Sequence, residues 1–153
     1  MAVWDSRGKP CGEIHPFDPD TWCGADGYGG GIFGRRFDEV GSPVGSVVQV
    51  NSDTKGDQVE PAVAAWPDGR SFITWISKAP AAESGPRSRI RGREFNSVLL
   101  PTGSEVQFNE HEWANMTNGS VALSSSASGD IAAAWTSWPL IYEQCWGVMC
   151  DSE

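Results

Sequence analysis

The sequence predicts an all-β chain of tandem four-stranded antiparallel units, arranged like β-propeller blades, and three observations carry that expectation. The first is a hairpin signature. A short apolar run, Ala62 to Trp66, meets Pro67-Asp68-Gly69, and a second apolar run, Phe72 to Ile76, follows. Proline presets φ for such a turn, and glycine takes φ > 0 without a Cβ clash. The second is recurrence. Val121 to Trp135 repeats Pro61 to Trp75, with Gly129 under Gly69 and Trp135 under Trp75, a shift of 135 − 75 = 60 residues. The third is the failure of a helical reading, because no window keeps 3.6-residue apolar spacing without a Gly or Pro break. A period of about 60 residues holding four short strands fits propeller blades. A β-sandwich is the alternative that short antiparallel strands also permit.

Taken in order, Val3-Trp4-Asp5-Ser6 reads as the end of a Trp-bearing strand, matching Thr74-Trp75-Ile76-Ser77 and Ala134-Trp135-Thr136-Ser137. A loop follows each copy. Ser6 to Ile32 spans 32 − 6 = 26 positions against 90 − 77 = 13 for Ser77 to Ile90, so the first copy carries an insertion, over about residues 7–27, that holds two cysteines. Long loops on a repeat scaffold cost little closure entropy and often carry function. The next strand, Ile32-Phe33-Gly34-Arg35-Arg36-Phe37, returns as Ile90-Arg91-Gly92-Arg93-Glu94-Phe95, and a third copy begins at Trp146-Gly147-Val148-Met149. The last strand, Gly45 to Asn51, returns as Gly103 to Asn109, where Val106 and Phe108 alternate with Glu105, Gln107 and Asn109 as in a half-buried strand. One repeat domain over 1–153 results: an incomplete unit 1–60, a full unit 61–120 and an incomplete unit 121–153. Both incomplete units should leave open sheet edges, filled by neighbouring copies or by the remainder of a larger chain.

Composition bounds the function classes. The 153 residues, 39 % hydrophobic, are enough for a core, and eight tryptophans are suited to filling gaps between sheets. A net charge of −9 repels phosphate backbones, which excludes nucleic acid as a partner, while cations or a salty medium suit it. No apolar run approaches the roughly 18 residues of a membrane span. Met1-Ala2-Val3-Trp4-Asp5 shows no signal peptide and reads instead as the middle of a strand.

A set of short motifs resembles a known repeat. Trp4-Asp5-Ser6, Gly27-Tyr28-Gly29, Arg35-Arg36-Phe37-Asp38, Gly45-Ser46, Gln49-Val50-Asn51, Gly56-Asp57-Gln58, Pro61-Ala62-Val63-Ala64-Ala65 and Asp68-Gly69 are similar to the repeat module of large secreted bacterial RTX and adhesin-like proteins. The resemblance implies propeller-like repeats on an extracellular or cell-surface protein with adhesion or matrix roles, and it carries no catalytic motif. The chain departs from it in the cysteine-bearing insertion. It departs again where the Gly-Asp-Gln loop gives way to Glu112-Trp113-Ala114-Asn115-Met116-Thr117 in the second unit.

Several residues are candidates for a site. Cys11 and Cys23 share the insertion, where a disulfide would staple the loop; the alternative is a buried or free pair. Cys145 and Cys150 are too far apart to pair if their segment is extended. They pair across a turn, with the insertion or with another chain, and four cysteines allow three connectivities. Asp18, Asp20 and Asp26, beside Gly24 and Gly27, are an oxygen-rich set suited to Ca²⁺, or else solvated turn acids. Trp22, Tyr28 and Trp113 are candidates for sugar stacking or partner contact, against core packing. Asn115 and Asn118 head Asn-x-Ser/Thr glycosylation patterns in a polar loop. His15 and His111 have no nucleophile in a recognisable motif nearby, so no catalytic residue is assigned. The leading expectation is a non-catalytic, extracellular, self-assembling module that completes its sheets with neighbouring chains as a ring or a fibre. A carbohydrate-binding or adhesion module is the alternative, and a glycoside-hydrolase-like propeller the second.

Overall fold

Strands form where β-branched and aromatic residues run between turns marked by Gly, Pro or Asx. The computed structural model describes residues 1–7, 9–10, 22–23, 29–78, 88–109, 114–115, 120–136 and 138–139, and holds no helix among them. The strands are β1 (Ala2–Arg7), β2 (Lys9–Pro10), β3 (Trp22–Cys23), β4 (Gly30–Phe37), β5 (Pro43–Gln49), β6 (Asp57–Ala65) and β7 (Ser71–Lys78). They continue with β8 (Ser88–Phe95), β9 (Val106–Gln107), β10 (Ala114–Asn115), β11 (Val121–Ser125), β12 (Ile131–Trp135) and β13 (Trp138–Pro139). The first sheet has the order β1-β4-β5 and the second β6-β7-β8-β9. The third is the hairpin β11-β12, and β2-β3 and β10-β13 are two-residue pairs. Every pairing is antiparallel, and the described residues are all-β as the sequence predicts.

The recurrence is written into the hydrogen bonds. Ile32 N–H donates to Asn51 Oδ1 at 2.8 Å and Ile90 N–H donates to Asn109 Oδ1 at 2.9 Å, a shift of 90 − 32 = 58 residues. At the same shift, Arg35 Nε–H donates to Gly45 O at 3.0 Å and Arg93 Nε–H to Gly103 O at 2.7 Å. Two expectations are corrected. Gly56-Asp57-Gln58 is not all loop, because Asp57 and Gln58 open β6, where a buried partner holds the Gln58 side chain. Asn115 lies in β10 rather than in an open polar loop.

Among the described residues one turn is used four times. The residues at 38–42, 66–70, 96–100 and 126–130 each close with the first N–H donating to the fifth carbonyl and the fourth N–H donating to the first carbonyl. This is the three-residue hairpin connection whose last residue takes the left-handed conformation. Gly41, Gly69 and Gly129 fill that position at φ of 82°, 86° and 103°, whereas the remaining turn uses Leu99 at φ 65°. Asp38 Oδ1 and Asn96 Oδ1 each accept two N–H groups of their own turn, the side-chain stabilisation expected of Asx residues there.

The second sheet lies between the other two. On one face Ile73, Trp75, Phe95 and Leu99 pack with Ile32 and Val50 of the first unit, flanked by Val3, Val48 and Val63. On the other, Val59, Ile76 and Ile90 pack with Val121, flanked by Phe108. A β-bulge makes this two-sided burial work. Between the pairs Val59↔Ile76 and Ala62↔Thr74, Glu60 and Pro61 both oppose Trp75, with Glu60 at φ 55°. The extra residue reverses the side-chain alternation, so Val59 and Val63 reach opposite cores. Gly92 is needed where Phe72 and Phe108 meet edge-to-face with centroids 5.8 Å apart, since a Cβ there would sit 2.5 Å from Phe72 Cε1.

Candidate functional site

The repeat lets equivalent residues be compared, and the comparison isolates one surface. In β7, Trp75 is fully buried and its indole N–H donates to the buried Gln58 Oε1 of β6 at 3.0 Å. Phe95 on the adjoining strand is equally buried. Their counterparts in the first unit, Trp4 and Phe37, are 36 % and 40 % exposed. The chemistry is the same and the neighbours differ. Val3 packs into the first core, so Trp4, the next residue along β1, points to the opposite face, away from the second sheet. Phe33 pairs with Trp4 across the sheet and shares that face. Among the described residues β1 has one strand neighbour, β4, whereas β7 lies between β6 and β8.

The seam between the first two units shows how such a face is closed. Gly30 N–H donates to Asp57 Oδ1 at 2.9 Å, and Gly29 (φ 68°) admits no Cβ because Gly56 O would be 2.7 Å from it. Beyond the apolar core, the Glu105 carboxylate reaches across the seam. Its Oε1 accepts Ser52 N–H at 2.6 Å and Ser52 Oγ–H at 2.7 Å, and its Oε2 accepts Arg91 Nη1–H at 3.1 Å. The Glu105 side chain is 6 % exposed, whereas its partner Ser52 lies at the surface and Arg91 is partly buried. We expect Glu105→Ala to destabilise the fold by about 2 kcal/mol, the scale of a hydrogen-bonded charge that loses its partners. A urea midpoint equal to that of the parent chain would show the seam to be held by the apolar core alone.

Glu105 and Arg91 have apolar counterparts in the first unit, Val47 and Phe33, 58 residues earlier. The free face of the first unit is therefore apolar where the corresponding face of the second carries an ion pair. At the other seam, Ser125 Oγ–H donates to Ala65 O at 2.7 Å.

Exposed charges cluster at the hairpin turns. Arg70 bridges Asp68 at 2.7 Å and Glu94 at 3.0 Å, and its guanidinium lies 4.7 Å from the Trp66 ring centroid. The hydrogen bond from Arg70 holds the Asp68 carboxyl below its ordinary range, and the bonds to Asp68 and Glu94 raise Arg70. The hydroxyls of Ser128 and then Ser126 lower Asp130 in the same way. These groups are solvated and serve the turns.

Of the residues singled out from sequence, Cys11, Asp18, Asp20, Asp26, Tyr28, Trp113, Asn118, Cys145 and Cys150 lie outside the described residues, as do His15 and His111. Trp22 and Cys23 form β3 opposite Pro10 and Lys9, and Asn115 pairs with Trp138. Among the described residues no group of three His, Cys, Asp or Glu gathers to hold a metal ion. Nor is any helix there long and apolar enough to cross a membrane. No local sequence pattern marks the roles of Gln58, Phe37 and Glu105. Leu99 could have been found as the residue standing where three other turns have glycine. Comparisons with protein families, curated proteins and solved structures return no match to this chain.

Proposed function

We propose that this chain is an extracellular structural module of propeller-like β-blades that assembles with copies of itself into a ring or a fibre. The observation that supports the reading is the contrast between Trp4 and Phe37, exposed in the first unit, and Trp75 and Phe95, fully buried at the same positions of the second. Exposed aromatic residues on one sheet face are enriched on surfaces that take a partner. Repeat units bury their faces against one another, so a unit with one bare face is stabilised by another unit. The acidic charge of −9 keeps such assemblies soluble and disfavours nucleic acid. The test is the native mass by sedimentation or light scattering at micromolar concentrations. Multiples of the 16.5 kDa chain are expected. A single-chain mass at every concentration removes the reading.

A further inference from the structure

Resting on that assembly reading, we infer that copies stack head to tail, with the Trp4 face of one chain seated on the outer face of the β11–β12 hairpin of a second copy. The chain contains this kind of interface twice over. The Trp75 face of the second sheet is buried on the first, and Val121 of the third packs against the opposite face of the second. Each unit thus presents its Trp side to the unit before it and its other side to the unit after it. Among the described residues two faces are left over, the Trp side of the first unit and the outer side of the third-unit hairpin.

The first leftover face is Trp4 and Phe37, exposed, with Phe33 half-buried beside Trp4 and Val47 exposed. The second follows from alternation in the hairpin. Val121 faces the second sheet, so Ala122 and Ser124 of β11 face outward, and their register partners Ala134 and Ala132 of β12 face outward with them. All four are exposed. They make a flat surface of small, uncharged side chains that a bulky indole can approach closely. Within the chain, too, bulky meets small. Leu99 of the second unit lies against Gly34 of the first, where a Cβ would be 3.6 Å from its Cδ2. The ion pair of Arg91 and Glu105 is replaced on the free face by Phe33 and Val47, so the free face suits an apolar partner rather than a charged loop.

Such an interface is heterologous: each copy offers two different patches, and the assembly closes into a ring or runs on as a fibre. That geometry has a decisive test. Trp4→Asp spoils the first patch and leaves the second. Ala134→Asp spoils the second and leaves the first. Both sites are exposed, and far-ultraviolet circular dichroism checks that both variants keep the sheet signal. Each variant alone is expected to sediment as one chain, whereas an equimolar mixture of the two yields a species of two chains and no larger one. If the parent chain assembles but the variants assemble too, or the mixture stays single-chain, head-to-tail stacking is overturned while self-assembly stands. If the parent chain itself is a single chain, both readings fall together.

Discussion

Trp75→Ala is expected to be the most damaging single truncation in the chain, costing about 3–5 kcal/mol, the range for removing a large buried aromatic. The side chain is fully buried in the core that joins the first two units, against Ile32, Val50, Ile73, Phe95 and Leu99. Its loss also strands the buried Gln58 Oε1, which accepts the indole N–H at 3.0 Å; an orphaned buried acceptor adds about 1–3 kcal/mol. Two companions separate the terms. Trp75→Phe keeps most of the packing and removes only the donor, so it should lose about 1–3 kcal/mol. Trp4→Ala, measured on the single-chain Ala134→Asp background, removes the same residue type from an exposed position and should cost less than about 1 kcal/mol, as surface substitutions generally do. Urea unfolding followed by circular dichroism reads all three. Equal losses at positions 4 and 75 would mean that the difference in exposure between the two units has no energetic content.

That pair of tryptophans marks the limit of what sequence pattern conveys. Trp4, Trp75 and Trp135 sit in the same local motif, and strand formation follows from that motif in all three. Their burial does not: Trp75 is fully buried, whereas Trp4, on the face turned from the second sheet, and Trp135, whose register partner Val121 faces that sheet, are 36 % and 38 % exposed. The turns divide the same way. Pro67-Asp68-Gly69 and Gly129 announce theirs through residue types that tolerate the required φ. The seam residues were hidden for another reason. Glu105 lies in a stretch of alternating polar residues, and a carboxylate at such a position is ordinarily solvated. Its burial depends on Ser52 and Arg91, which approach it only in three dimensions. Gln58 was obscured by the Gly-Asp-Gln turn signal, although the chain is already extended at Asp57.

The turn at 96–100 gives the second large effect, and it inverts an ordinary rule. Leu99 holds φ 65° where the three sister turns hold glycine. A β-carbon in that region costs about 1–2 kcal/mol. The strain persists because the Leu99 side chain is 2 % exposed and packed into the core between the first two sheets. Leu99→Ala should therefore lose about 2–5 kcal/mol, since the core contact goes and the backbone strain stays. Leu99→Gly removes the same contact but relaxes the backbone, and it should be less destabilising than alanine by about 1 kcal/mol. Glycine is normally the worse of the two in an extended or helical segment, so the order itself is diagnostic. The reciprocal change, Gly41→Leu, brings in the strain without the packing, because a Cβ at Gly41 meets no atom within 4 Å. It should cost about 1–2 kcal/mol with nothing to offset it. Thermal or urea unfolding of the three variants decides the matter. A Leu99→Gly chain weaker than Leu99→Ala would show that the left-handed conformation at this turn is not strained, and that packing alone chose leucine there.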